Sequence, residues 1–500
     1  MTESFDADLR SIQQSRDLAT AGREAMRAFQ FTSQEKVDAI CEAMVAAAMR
    51  EAGRLGQLAH DETGFGYPAH KQLKNEFAAQ GVWDSIKDIP TCGVLRRDEQ
   101  RKIIEIGWPV GVICALTPST NPTSTAIFKI LIGVKARNAV IVCPHPAARK
   151  CTAEAVRVMV EAGEAAGMPK GLVSCVTDLS MAGTNELMNH YATSMILATG
   201  GPGMVKAAHS CGKPALGVGP GNVPAYVDRT AHIARAAQMI VESKSFDCST
   251  ICATEQCIIA DRPIADRLKQ ELIDRGAHFL TCEEADTLAA GMFRPNGLML
   301  AEYVGQTPQR LGELAGVDVP ASARILVAPL DGVGPKHPLS REKLTTVIGW
   351  MVEDGWKAGC ERSIELLRFG GDGHSLVIHS RDEEAVLAFG IEKPAFRILV
   401  NTWGSLGGVG YTTGIRPSFT LAPGGIGGAS VSDNITVEHV LNVKRVAYHL
   451  TSAPDVARAW GGRLDGGAPE AAQAPASAAK DADAEQIERV VRLVLQQLKQ

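Results

Sequence analysis

Cys252 lies in Phe246-Asp247-Cys248-Ser249-Thr250-Ile251-Cys252-Ala253-Thr254-Glu255-Gln256, between a helix-like run and the apolar Cys257-Ile258-Ile259-Ala260. A thiol in such a polar loop can be held at the mouth of a cleft. Its thiolate can attack a carbonyl carbon and form a covalent intermediate. The residue type alone says little, because the chain holds 12 cysteines and most free cysteines pack as small buried hydrophobes. Three other segments carry groups that would complete such chemistry. In Thr117-Pro118-Ser119-Thr120-Asn121-Pro122-Thr123, Asn121 is the expected N-cap of a helix opened by proline. Its side-chain amide could equally donate to a developing oxyanion. Pro144-His145-Pro146 is a stiff turn along which a cofactor could lie. Thr199-Gly200-Gly201-Pro202-Gly203-Met204-Val205-Lys206 sets small residues before a helix, where bare N–H groups can face a phosphate or a ring. Lys206 stands where the dinucleotide fingerprint needs its third glycine, and Gly217-Val218-Gly219-Pro220-Gly221-Asn222 lacks the fingerprint too. A dinucleotide would therefore lie differently from the usual Rossmann pose.

These loops need elements to position them. Residues 5–90 read as helices, with Val37, Ile40, Met44, Val45 and Ala48 at a helical period. From about 101 the pattern becomes strand-like, and then strand, loop and helix alternate. Strands are expected at 110–116, 139–143, 172–177 and 195–198, and helices at 123–135 and 147–166. Such alternation implies parallel strands and a doubly wound sheet. Ligands bind beyond the carboxyl ends of such strands, so the loops after Leu116, Cys143 and Ala198 are the ones of interest. A second α/β unit is expected from about 236 to 430, led by a helix at 231–245 and ending in the glycine-rich 404–428. A closing strand and helix follow at 431–455.

Composition excludes several classes. The 500 residues suggest roughly 3 domains or fewer. Apolar content of 45 %, charged content of 21 % and a net charge of -5 are ordinary for a soluble globular protein. The basic residues are scattered, so neither nucleic acid nor an acidic membrane surface is an expected partner. No C-x-x-C pair occurs, which argues against a structural zinc site, any other metal cluster of that kind and a secreted disulfide scaffold. A reducing cytoplasm is expected. The opening Met-Thr-Glu-Ser-Phe-Asp-Ala-Asp has no apolar signal core, and no stretch reads as a membrane span.

The tail differs from the rest. Residues 456–481, rich in Ala, Gly and Pro, read as a flexible linker. Asp483-Ala484-Glu485-Gln486 resembles a capping box, and Ile487, Val490, Val491, Val494 and Leu498 follow on one helical face. An amphipathic helix over 482–500 is expected, either folding back on the core or docking its apolar stripe on a partner.

Taken together, these segments resemble the CoA-acylating branch of the aldehyde dehydrogenase superfamily. The similarity is densest to the aldehyde half of bifunctional alcohol/aldehyde dehydrogenases and runs from about Gly107 to Ala447. Thr117 through Lys129, Leu197 through Ala208 and Arg397-Ile398-Leu399-Val400-Asn401-Thr402 carry it. The resemblance implies two doubly wound α/β domains plus a small β oligomerisation element. An NAD-binding domain would take residues 1–235, with oligomerisation strands near 95–110, and a catalytic thiol domain 236–430. It implies that Cys252 is the nucleophile and that Asn121 donates to the oxyanion beside the main-chain N–H of Cys252. Thr117, Pro118, His145, Pro146, Gly200, Gly201, Gly203, Val218 and Gly219 would hold NAD. Glu342 would contact the nicotinamide ribose, and His374 would serve proton transfer. Coenzyme A would be the acyl acceptor, a short aliphatic aldehyde such as acetaldehyde or propionaldehyde the substrate, and a homodimer or homotetramer the assembly. The tail resembles the encapsulation peptides of bacterial microcompartments, which implies a shell partner and a lumenal location.

One absence is informative. Hydrolytic relatives carry a glutamate in Glu-Leu-Gly-Gly-Lys that activates water. The matching Gly217-Val218-Gly219-Pro220-Gly221-Asn222 has no carboxylate. Without a general base, water attacks a thioester poorly, whereas a partly ionised thiol such as CoA does not need one to the same degree. Other readings are a hydrolytic enzyme, an acylating enzyme for a functionalised aldehyde such as sulfoacetaldehyde, and a catalytically silent shell-cargo scaffold.

Overall fold

The computed structural model describes residues 6–462 and Leu464. Three helices lead the chain, Ala7–Phe29, Gln34–Thr63 and Pro68–Glu76. The Ser33 hydroxyl caps the second by accepting from the Lys36 N–H, and Gly64, at φ 68°, ends it in a left-handed turn that glycine makes without steric cost. Its buried face, with Val37, Ile40, Met44, Val45 and Leu55, has the period read from the sequence. The third helix is unlike it, because its buried residues are Lys71, Lys74 and Asn75. Polar groups turned inward need partners, and these partners lie at the site described below.

Strands β1 (Val94–Asp98) and β2 (Ile103–Pro109) precede a five-stranded parallel sheet. Its strands are β3 (Val112–Leu116), β4 (Ala139–Cys143), β5 (Val173–Cys175), β6 (Thr193–Thr199) and β7 (Ala215–Val218), in the order β5-β4-β3-β6-β7. β3 and β4 are buried along their whole length, which is why they read as unbroken apolar runs. Helices Pro122–Lys135 and Arg149–Ala165 lead from β3 to β4 and from β4 to β5. Met181–Asn189 and Pro202–Ser210 do the same on the way to β6 and β7. The winding reverses between β3 and β6, and a crevice opens there beyond the strand ends. Lys129 ties those two ends together, its Nζ donating to the carbonyls of Leu116 (2.6 Å) and Leu197 (2.8 Å).

The second sheet has seven parallel strands: β8 (Val223–Val227), β9 (Glu255–Asp261), β10 (Ala277–Phe279), β11 (Ile325–Pro329), β12 (Val347–Glu353), β13 (Leu376–His379) and β14 (Ile398–Val400). Their order is β10-β11-β12-β9-β8-β13-β14. The two-sheet α/β reading stands, with one correction. β8 belongs to the second sheet, so the chain crosses between sheets at residues 219–222 and not near residue 235. No helix separates β7 from β8, and periodicity does not say which sheet a strand will join. Helix Ile233–Ser245 then delivers the cysteine loop to the amino-terminal end of β9, a central strand buried throughout.

The described residues cluster into two units. One takes residues 6–95 and 106–444 and holds both parallel sheets; the other takes Arg96–Glu105 and residues from 445 on. β1, β2 and β15 (Leu441–Ala447) form a three-stranded sheet in the order β1-β2-β15. Helix Ala453–Ala459 follows, capped by the Ser452 hydroxyl, and takes up the first residues of the stretch read as linker. The linker beyond Leu464 and the expected helix over 482–500 lie outside the described residues. Among the described residues, no helix is long and apolar enough to cross a membrane.

Candidate active site

The crevice between β3 and β6 is a cleft of about 260 Å³. The loop after β3 supplies Pro118, Ser119, Thr120 and Asn121, the loop after β4 His145, and the loop after β6 Thr199, Gly200 and Gly201. Val218, Gly219 and Pro220 come from the crossing between the sheets, and Thr250, Ile251 and Cys252 from the loop before β9. Glu342 closes the ring. Two sheets folded from distant stretches thus place the thiol, the amide and the glycine loops in one cavity.

Four expected site residues are not on its wall. Thr117 is buried, its N–H donating to the Cys143 carbonyl beside the sheet edge. Pro146 opens the short turn Pro146–Ala148, and Gly203 lies within helix Pro202–Ser210. His374 is fully buried behind Gly221, where an added Cβ would fall 2.8 Å from its ring and 2.3 Å from the Cys252 carbonyl oxygen. Its Nδ1 lies 3.0 Å from the Ser375 hydroxyl. Burial first, and Arg397 second, hold this imidazole well below its usual range. It is therefore neutral at neutral pH. Its ring stands off the cleft wall, beyond Gly221.

Cys252 is partly exposed, whereas Cys248 and Cys257 are buried. Asp247, Cys248 and Ser249 hold left-handed backbone (φ 46°, 49° and 63°), uncommon for residues with side chains. The turn they make brings Thr250 and Cys252 onto the cleft wall. Asn121 does not cap the helix it precedes. Its Nδ2 donates to the Thr250 carbonyl (2.9 Å) and the Thr120 hydroxyl (3.2 Å), and its Oδ1 accepts from Lys74 Nζ (2.5 Å). The alternative left open by the sequence, cap or donor into the site, is thus resolved against the cap.

Desolvation pushes the Cys252 thiol up to about 12. Glu342 adds to the rise, while Arg397 and the N–H groups of Cys252 and Ala253 oppose it. Glu342 accepts from the Gly221 N–H (2.8 Å), and burial pushes its carboxyl up to about 7 against the pull of Gly221, Lys244 and Lys343. An anion beside a thiol disfavours the thiolate. Removing that anion in Glu342→Gln is therefore expected to lower the thiol's pKa and to speed alkylation of the resting enzyme at pH 8 by roughly tenfold. The check is the iodoacetamide rate followed by mass spectrometry of the Cys252 peptide.

The cleft fits an extended cofactor. An added Cβ at Gly201 or Gly219 would meet no heavy atom within 4 Å, so these glycines leave open space along the floor. His145, an exposed residue at the cleft's rim, accepts from the Ala147 N–H at Nδ1 (3.1 Å), and partial desolvation by its neighbours keeps its ring below its usual range. It therefore offers a neutral flat face. Among the described residues lining the cleft there is no Lys or Arg.

Sequence reasoning missed the charged group behind Asn121. The Asp247 carboxylate receives Lys71 Nζ (3.1 Å), Lys74 Nζ, the Thr250 hydroxyl (2.7 Å) and the Tyr67 N–H (2.8 Å). The available signal was the short helix around Lys71 and Lys74, whose polar residues recur at the spacing of a buried face.

Comparison with known proteins agrees with this geometry. The pattern of the aldehyde dehydrogenase family matches residues 8–287. Aldehyde-alcohol dehydrogenase 2 of Entamoeba histolytica is 41 % identical over 424 residues, which cover 83 % of this chain and 49 % of that protein. The chain spans about half the length of the curated relatives it matches. The structure of an acetylating aldehyde dehydrogenase from Geobacillus thermoglucosidasius is 49 % identical with a TM-score of 0.89, covering 90 % of this chain and 99 % of that one. A Rhodopseudomonas palustris propionaldehyde dehydrogenase, solved with bound CoA and an acylated cysteine, is 27 % identical with a TM-score of 0.79, covering 87 % and 97 %. With its two parallel sheets and a partly exposed cysteine at their shared cleft, the chain belongs to the aldehyde dehydrogenase family, in its CoA-acylating branch.

Proposed function

We propose that the protein oxidises a short aliphatic aldehyde, acetaldehyde or propionaldehyde, to its acyl-CoA through a thioester on Cys252. The observation that carries this reading is the cleft itself. It joins Cys252, the Asn121 amide and the open glycine loops, and no carboxylate stands in the 217–222 loop. NAD, when bound there, supplies a cationic ring and accepts a hydride. The Cys252 thiol gives up its proton to solvent and its sulfur attacks the aldehyde carbon. Asn121 Nδ2 keeps its bond to the Thr250 carbonyl and turns its other hydrogen from the Thr120 hydroxyl to the oxyanion that forms, beside the Cys252 N–H. Loss of hydride leaves a thioester, which the thiol of CoA attacks to free Cys252. Glu342 holds the Gly221 loop at the cofactor's side of the cleft. NAD rather than NADP is the reading because no cation lines the described cleft to meet a 2′-phosphate.

Ile251, Val409 and Phe419 give the cysteine's end of the cleft an apolar wall, and Leu73, Phe77, Leu406 and Tyr411 pack tightly behind it, a surface against which a short apolar chain fits. Its one cationic neighbour, Lys74, is already engaged by Asp247. That favours a short apolar aldehyde over a sulfonated one. A microcompartment location is carried by the amphipathic pattern of residues 482–500 alone. The test is an NADH absorbance assay with an aldehyde panel, with and without CoA. Two-carbon and three-carbon aldehydes are expected to have the highest kcat/KM. Val409→Ala is expected to shift preference toward butanal and pentanal by about tenfold or more, since one methylene in a pocket is worth ~1–3 kcal/mol. Activity confined to a sulfonated aldehyde, or independent of CoA, would refute the reading.

A further inference from the structure

We infer that Lys74 is a positioning residue for the oxyanion donor, fixing which face Asn121 turns to the substrate. The inference rests on the role proposed above for Asn121. A side-chain amide has two nearly isosteric ends. Only the NH₂ end helps an oxyanion, and a flipped amide would oppose it with its oxygen. The amide therefore needs something that makes the flip costly. Lys74 Nζ, which can only donate, lies 2.5 Å from Asn121 Oδ1, and the Thr250 carbonyl, which can only accept, lies 2.9 Å from Nδ2. Both neighbours enforce the same orientation. The ammonium also draws electron density from the amide, which makes its N–H groups stronger donors.

Lys74 is itself held in place. Its head sits against the Asp247 carboxylate and 3.3 Å from the Thr250 hydroxyl. Asp247 comes from the left-handed turn that precedes Cys252, so one short loop carries both the nucleophile and the anchor of the donor's clamp. Gly66 admits that carboxylate: an added Cβ there would lie 1.9 Å from Asp247 Oδ1. Lys71 faces the same carboxylate from the previous turn of the helix, leaving a surplus positive charge behind the amide. Lys74 is 2 % exposed and Asp247 not at all. Packing alone does not call for such a group, because an apolar side chain of similar volume would serve stability at least as well. Burial pushes the Lys74 ammonium down to about 8 although Asp247 supports its charge. It remains protonated at neutral pH.

The test uses the full chain with propanal, NAD and CoA. Lys74→Met is made in the wild-type and Asn121→Ala backgrounds, with kcat, the KM of NAD and Tm measured for each. Lys74→Met is expected to lower kcat by about a hundredfold with the KM of NAD within about threefold. In the Asn121→Ala background it is expected to cost less than about threefold more, because its target is gone. A folded Lys74→Met with kcat within about threefold of wild type overturns the inference and leaves Asn121 standing. So do losses that multiply in full in the double variant, which would mark Lys74 as a fold element only. An Asn121→Ala enzyme within about threefold of wild type removes the oxyanion role, and the inference with it. Where Lys74→Met does not fold, Lys74→Gln keeps a neutral donor. It is expected to lose about tenfold with the same non-additivity, and a smaller or fully additive loss overturns the inference.

Discussion

Replacing Cys252 with alanine is expected to lower CoA- and aldehyde-dependent NADH formation by roughly 10⁴-fold or more, since Cys252 is the single thiol among the described residues lining the cleft. The chain offers two neighbouring thiols as rivals, and the structure separates them. Cys257 is buried within β9, with its Sγ 3.0 Å from where a Cβ on Gly349 would stand. Cys248 is buried, and burial and then Asp247 push it up to about 12. Cys252 rises as high, chiefly by burial, but it alone of the three lines the cleft. Reach, then, selects it, and ionisation must come with the filled site. Cys248→Ser is accordingly expected to retain kcat within about threefold. The decisive measurement is the intact mass after mixing with propanal and NAD without CoA. Wild type and Cys248→Ser should carry one propionyl adduct and Cys252→Ala none. An adduct that survives in Cys252→Ala would move the nucleophile.

How much of this was legible beforehand follows from the kind of signal each part leaves. β3 and β4 announce themselves because strands buried on both faces become unbroken apolar runs. The switch-point loops follow from that alternation, so Asn121, His145 and Gly200 could be named as candidates. Pairing is another matter. That β8 leaves the first sheet is decided by which neighbours it bonds, and its own five residues carry no mark of that. Contacts formed across long separations are equally silent. Lys74 meets Asn121 over 47 positions and Asp247 over 173. Each reads locally as an ordinary surface charge, and only the fold makes them one cluster. His374, named through the resemblance, is set by the fold one layer behind the cleft, buried beyond Gly221.

With CoA omitted, the enzyme is expected to release one NADH per active site in a burst and then turn over at no more than about 1 % of its CoA-supported rate, because general-base activation of water contributes ~10²–10⁴-fold. The argument turns on which carboxylates could serve water. The 217–222 loop holds none. Glu255 is buried behind the cysteine loop, with its oxygens taken by the Ser243 hydroxyl (2.6 Å) and the Gly404 N–H (2.7 Å). Glu342 is the single carboxylate among the described residues lining the cleft. Its Oε1 is committed to the Gly221 N–H, and burial raises it to about 7, so near neutrality it is partly protonated. A water placed beside it would find a weak and half-occupied base. A CoA thiol brings its own thiolate fraction, a few per cent near pH 7, and needs no such help. The burst amplitude and the following rate, read by stopped-flow absorbance with and without CoA, decide the matter. Steady CoA-free turnover near the full rate would mean that water is activated after all. Its loss in Glu342→Gln would then name that carboxylate as the base, while its persistence would send the search to a group outside the cleft wall.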